Sequence, residues 1–166
     1  MKKEEWKKSL LEYIKVIIIT VVVTYTILYF VQISKVVGSS MEPTYHDGNI
    51  VLVDKFFYKK GEANYNDIVI VKCDLDVKDE QIIKRIIGLP GDCIEMKNNQ
   101  LYRNGKLVKE DYIYETMTDN ENFKYDIPKG KVFVMGDNRN NSIDSRMIGY
   151  IDFDDQVVGR VFFKVF

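Results

Sequence analysis

A serine that attacks a carbonyl needs an exposed hydroxyl, a base to take its proton and a donor for the developing oxyanion. Ser40 sits in Gly38-Ser39-Ser40-Met41-Glu42-Pro43-Thr44, between a glycine turn and a proline. There the hydroxyl can stand clear and the backbone N–H stay free, although a plain linker has the same composition. A base is offered by Ile83-Lys84-Arg85-Ile86-Ile87-Gly88-Leu89-Pro90-Gly91-Asp92, where two cations interrupt an apolar, strand-like run. Alternation puts Lys84 and Arg85 on opposite faces, so one of them points inward. A lysine near pKa ~10.4 is no base at neutral pH, and burial without a counter-ion lowers it. Reaching about 7–8 corresponds to roughly 3–4 kcal/mol against the charged form. A lysine on the wet face of an edge strand would look the same in sequence. The third cluster runs from Gly136-Asp137-Asn138-Arg139 to Ser142-Ile143-Asp144-Ser145-Arg146. Its density of carboxylates, amides and arginines predicts a loop held by Asp–Arg hydrogen bonds, in a supporting role.

Other chemistries are excluded or left without residues. His46 is the only histidine, so a Ser-His-Asp enzyme would need it as base and a His-rich metal site is impossible. It reads as a loop residue. Cys73 and Cys93 have no metal-ligand spacing and read as half-buried strand residues, a disulfide staying open on the oxidising side of a membrane. The 24 Lys+Arg balance 25 Asp+Glu, which argues against nucleic acid as partner. No cofactor and no metal are expected.

The elements that must position these residues are of two kinds. Val16 to Ser34 is uncharged for 19 residues, bracketed by Lys15 and Lys35. As a helix it reaches about 28 Å, close to the hydrocarbon thickness of a bilayer. Lys2, Lys3, Lys7, Lys8 and Lys15 precede it and only Lys35 follows before Lys55, which places the N-terminus in the cytoplasm and the rest outside. A cleavable leader ending near Val36-Val37-Gly38 competes with this reading, but the run exceeds the usual ~7–15 residues. The expected division is a cytoplasmic segment 1–15, a transmembrane anchor 16–34 and an extracytoplasmic domain 36–166. Beyond the anchor, β-type runs recur at Asn49–Val53, Asp67–Lys72, Gln81–Ile87, Asp92–Met96, Lys131–Met135 and Gln156–Phe166. Lys97-Asn98-Asn99 and Asn104-Gly105 are hairpin chemistry. Residues 109–127 read as an exposed loop with weak strand character, and no helix is expected after the anchor. The fold expected is mainly β: one N-terminal transmembrane helix, then a small, curved, antiparallel sheet or barrel-like catalytic domain.

The three clusters in this order resemble a known family. An anchor, then Ser-Met-x-Pro-Thr, then Lys-Arg-x-x-Gly-x-Pro-Gly-Asp, then Gly-Asp-Asn-x-x-x-Ser-x-Asp-Ser-Arg is similar to the bacterial type I signal peptidases, over nearly the whole chain. The resemblance implies a membrane-bound serine endopeptidase that removes signal peptides from exported preproteins after small residues, through an acyl-enzyme. It implies Ser40 as nucleophile and Lys84 as general base. Ser142 would orient the lysine, Asp144 and Arg146 would form a supporting ion pair with Arg85 nearby, and Asp137 would be a further scaffold position. Val36 and Ile83 would line pockets for small substrate side chains, with Met41 counted among the substrate-binding residues. In some relatives a serine two positions before the nucleophile completes the oxyanion hole. Here that residue is Gly38, which leaves the backbone at Ser40 and Gly38 for the task, as in Gram-positive members. The large β insertion of some Gram-negative relatives is missing between Asp92 and Gly136. The implied partners are preprotein signal peptides and the lipid bilayer. Two rivals share the chemistry or the fold. A non-catalytic or dedicated pilin-assembly factor would be free to discard Ser40 or Lys84, and both are present. A self-cleaving repressor of the Ser-Lys type would carry a DNA-binding domain in place of the apolar segment.

Overall fold

The N-terminal apolar run forms helix α1, Lys2–Phe30, in the computed structural model, which describes residues 2–73, 80–118 and 122–166, with side chains from Trp6 on. The span Trp6–Phe30 is long and apolar enough to cross a membrane, and none of its most apolar window is buried against the rest of the protein. An unburied helix of this composition is not a core helix; its apolar surface needs lipid. The helix stops before the uncharged run does. Val31–Lys35 is strand β1, paired antiparallel with β2, Ile50–Asp54, from Val31↔Asp54 to Lys35↔Ile50. Residues 31–34, expected to be part of the anchor, are therefore strand. β-branched Val31 and Ile33 suit an extended backbone, and β2 supplies the hydrogen bonds that helix would otherwise provide. Aromatic rings fasten the junction: Phe30 stacks on Phe57 at 5.4 Å and meets Phe56 edge-on at 5.0 Å.

The remaining elements are short. In order they are α2 (Phe57–Lys60), β3 (Ile68–Cys73), β4 (Glu80–Gly88), β5 (Cys93–Lys97), β6 (Gln100–Arg103), β7 (Lys106–Leu107), β8 (Phe123–Asp126), β9 (Lys131–Met135), α3 (Ser145–Ile148), β10 (Ile151–Asp152) and β11 (Val157–Lys164). One sheet has the order β1-β2-β11-β3-β4-β9-β10 and the other β7-β6-β5-β8, with antiparallel pairing throughout. The fold is mainly β, as expected, but the sheets stay open: β1 and β10 are edges and no barrel closes. Both hairpin turns form with left-handed residues, Asn98 and Asn99 at φ 51° and 60°, and Asn104 and Gly105 at 52° and 74°, as tight turns of this hand require.

Three expectations need correction. The one-turn helices α2 and α3 were not anticipated; four residues are too short for a helical period to register. Residues 109–127 do carry strand, for β8 pairs with β5, but they are not simply exposed, for Met117 is buried; residues 119–121 lie outside the described part. Lys84 and Arg85 do face opposite ways, yet both are buried, at 3% and 8% exposure. Their strand lies inside the seven-stranded sheet, with β3 on one side and β9 on the other, and both of its faces are covered.

Candidate active site

β4 meets β3 along Glu80–Arg85, but β9 joins it only from Arg85 onward. Lys84 thus lies where one edge of the strand becomes free, and its side chain runs toward the loop that follows β1. Its Nζ is 2.7 Å from Ser40 Oγ and donates to the Ile83 carbonyl at 2.9 Å. No carboxylate forms an ion pair with it among the described residues. Burial therefore dominates and lowers its pKa from 10.5 to about 8, with Asp144 pulling weakly upward and Arg146 downward. This is the condition a lysine must meet to act as a base near neutral pH.

The Ser40 loop is tied down from both ends. Val36 N–H donates to the Asn49 carbonyl and Gly48 N–H to that of Val36, closing the loop at its neck. Asn138 N–H holds the Ser40 carbonyl at 3.0 Å, and the Asn141 amide donates to Ser39 Oγ at 2.8 Å. The Ser40 N–H has no hydrogen-bond partner among the described residues, so it is free for an incoming oxygen. Gly38 is different. Its φ of +83° demands glycine, and its N–H donates to Asp47 Oδ1 at 2.8 Å. The expectation that Gly38 shares in an oxyanion site is therefore corrected, because an aspartate already occupies that donor.

The third cluster follows β9 and packs on the back of the serine loop. A Cβ at Gly136 would lie 2.3 Å from Ser142 Oγ and 2.5 Å from the Ser40 carbonyl oxygen, so only glycine permits this approach. Asp144, fully buried, accepts from Gly136 N–H at 3.0 Å and from Arg146 Nε and Nη2, both at 2.8 Å. Arg85, expected near that pair, has a carboxylate of its own. It grips Asp137 with Nε at 2.8 Å and Nη2 at 2.6 Å, and Thr44 donates to the same carboxylate. There are thus two separate forks: one fixes the loop after β9, the other ties β4 to it. Ser142 also departs from expectation. Its Oγ is shut off from solvent with no hydrogen-bond partner among the described residues, while the second bond of Lys84 goes to a backbone carbonyl.

Sequence reading missed a third fork. Arg139 is 1% exposed and bidentate to Glu110, at 3.0 and 2.6 Å. The Tyr112 ring lies 4.1 Å from the Arg85 guanidinium and 5.9 Å from that of Arg139. Arg139 stood inside the third cluster, but Glu110 lies in a polar stretch that gives no sign of packing.

Val36 and Ile83, both buried, wall a cavity of about 360 Å³ beside Ser40. Met41 does not line it. That side chain is fully buried in the core beneath, with Val51, Val53 and Ile70, because the tight loop after Ser40 turns it inward. A second cavity of about 480 Å³ opens on the Lys84 side, against Ser39, Asn141, Ser142 and Met147. His46 is largely exposed and its ring meets Glu42, at 3.4 Å. Cys73 and Cys93 are not joined by a disulfide.

Residues 10–166 match the family model described as signal peptidase, peptidase S26. The chain is 44% identical over 157 residues to a signal peptidase I of Bacillus licheniformis, covering 88% of this chain and 83% of that one. It is 39% identical to a signal peptidase IB of Staphylococcus aureus, covering 95% and 90%. The fold is similar to a crystal structure of a signal peptidase I from Enterococcus faecalis, with a TM-score of 0.53 and 29% identity, over 61% of this chain and 98% of that one.

Proposed function

The chain belongs to the signal peptidases of peptidase family S26, serine endopeptidases anchored in membranes, and on that premise we propose that Ser40 is its nucleophile and Lys84 its general base. The observation that carries this reading is the 2.7 Å contact between Ser40 Oγ and a lysine amine that burial brings to a pKa of about 8. Neutral Lys84 takes the Ser40 proton as the oxygen attacks the scissile carbonyl. The unpaired Ser40 N–H receives the developing oxyanion. Lys84 then returns the proton to the leaving amine, and the mature chain departs. Water activated by the same amine hydrolyses the acyl-enzyme and releases the signal peptide. Asp144–Arg146 and Asp137–Arg85 act at one remove, holding the loop whose Gly136 and Asn138 press on the Ser40 backbone.

Removal of signal peptides follows from membership of the family; the choice of cleavage site belongs to this proposal. Val36 and Ile83 offer no polar partners and leave little width, which suits alanine, glycine or serine before the cut and a small aliphatic residue two positions further back. Residues 1–15 would be the cytoplasmic segment, 16–34 the anchor region with its last residues in the sheet, and 36–166 the extracytoplasmic domain. The excess of lysine before the apolar run supports that orientation. Incubating the detergent-solubilised protein with a panel of preproteins, and mapping products by mass spectrometry, tests the function. A single cut after a small residue at the end of each leader is expected; intact preproteins, or cuts scattered through the mature parts, would overturn it.

A further inference from the structure

Glu80 opens β4, and alternation along the strand puts it on the same side as Ile82 and Lys84. All three border the cavity on the Lys84 side, and Glu80 also borders the cavity walled by Val36 and Ile83. It therefore stands on the rim between the two spaces that meet at Ser40. Glu80 lies four positions before Lys84, about 13 Å along the strand. At that end the two edges are bridged, Gln32 Nε2 donating to Gln81 Oε1 at 3.1 Å. Glu80 Oε2 is shut off from solvent and has no hydrogen-bond partner among the described residues. A carboxylate oxygen that has lost its water and gained no donor is an unfavourable arrangement until something supplies one. Among the described residues the only other charged side chain on the first cavity is Lys35, which is exposed and forms no ion pair with Glu80.

We propose that Glu80 reads the charge of the substrate about four residues before the cut, favouring a basic or donor side chain there and rejecting an acidic one. The inference rests on the proposed function and adds that the leader lies extended along the Val36–Ile83 cavity with its cut at Ser40. An extended peptide covers ~13 Å in about four residues, so that side chain comes level with Glu80. A cation or N–H donor there completes the hydrogen bonding of Oε2. A second carboxylate repels it where water is scarce and screening weak. The strand fixes Glu80 more firmly than a loop would, so the preference is built into the frame of the site.

The test uses the full-length protein in detergent and one preprotein carrying Lys, Ala or Glu four residues before its cut. The quantity read is the ratio of kcat/KM for the Lys form to that for the Glu form, which cancels any general loss of activity. In the unmodified enzyme the ratio should be about tenfold, the size a single partly screened charge contact gives, and should shrink as salt is raised. Glu80→Gln should bring it to within about twofold of unity and Glu80→Lys should invert it. A ratio near one in the unmodified enzyme overturns the proposal whether or not the variants fold, and so does a ratio that survives Glu80→Gln. An alanine form left uncut removes the signal-peptide reading itself, and this inference with it.

Discussion

At the scale of single residues the proposed chemistry turns on one amine. In the proposed mechanism Lys84 works only when neutral, and its pKa of about 8 sets where that happens. Below that value kcat/KM should fall about tenfold per pH unit, and above it the rate should level off. A profile flat from pH 6 to 10 would remove lysine as the base, and Lys84→Arg should be inactive at every pH. The same shift has a consequence for stability. The folded pKa is about 8 against 10.5 for the free side chain, so between those values the unfolded chain binds more protons and stability rises with pH. At pH 7 the charged amine opposes folding by roughly 3 kcal/mol. Lys84→Met should therefore melt higher than the unmodified protein at pH 7, less the lost contact with Ser40, and the gap should close as pH rises from 8 to 10.5. Equal melting curves at both ends would mean that the amine is not desolvated. Ser40, Lys84 and their neighbours were legible in the sequence as odd residue types in their settings, a lysine in an apolar strand above all. The direction of Met41, the occupied N–H of Gly38 and the unbonded Ser142 were not, because each depends on how a loop turns in space.

At the scale of elements the site is the meeting of a loop after β1, the free edge of β4 and the loop after β9. The last is held by Asp144, which binds Arg146 and the Gly136 N–H with no exposure of its own. Asp144→Ala leaves the Arg146 cation without its carboxylate in a mostly buried site, which costs roughly 3–5 kcal/mol. Thermal unfolding and turnover should fall together; an unchanged melting temperature would show that the fork does not carry the loop. The cavity walls give a second test. Ile83→Ala should admit larger residues before the cut while changing the rate on an alanine substrate less, since an oversized side chain against intact packing costs about 1–3 kcal/mol, a tenfold to hundredfold loss in rate. Sequencing the products of one preprotein with each residue at that position checks it, and leucine cut as fast as alanine by the unmodified enzyme would contradict it. The longer strands and both hairpin turns could be read from β-type runs and from Asn-Asn and Asn-Gly chemistry, but β1 and β10 could not. The end of α1 could not, because residues 31–34 continue the uncharged run of the helix before them and only pairing with β2 makes them strand. The Arg139–Glu110 fork joins residues 29 apart, and nothing local in the sequence announces such a pair.

At the scale of the whole molecule an unburied apolar helix runs through Phe30 directly into the sheet that carries the site, with no linker between them. Under the proposed function the substrate leader is held in the same bilayer, and encounter becomes a search in two dimensions at high effective concentration. With enzyme and preprotein in the same vesicles, the cleavage rate should follow their density per lipid area and ignore dilution of the suspension. Placing them in separate vesicles should nearly abolish it. A rate that falls in proportion to dilution would mean that the anchor only tethers the enzyme and does not gather its substrate.

The central claim, that Ser40 and Lys84 act as one unit, is tested most directly by kcat/KM on a single preprotein for four proteins: unmodified, Ser40→Ala, Lys84→Ala and both together. If the two residues form one unit, each single variant should lose nearly all turnover, and the double variant should be little worse than either. Near-normal cleavage by Ser40→Ala, or losses that multiply in the double variant as for independent residues, would contradict it.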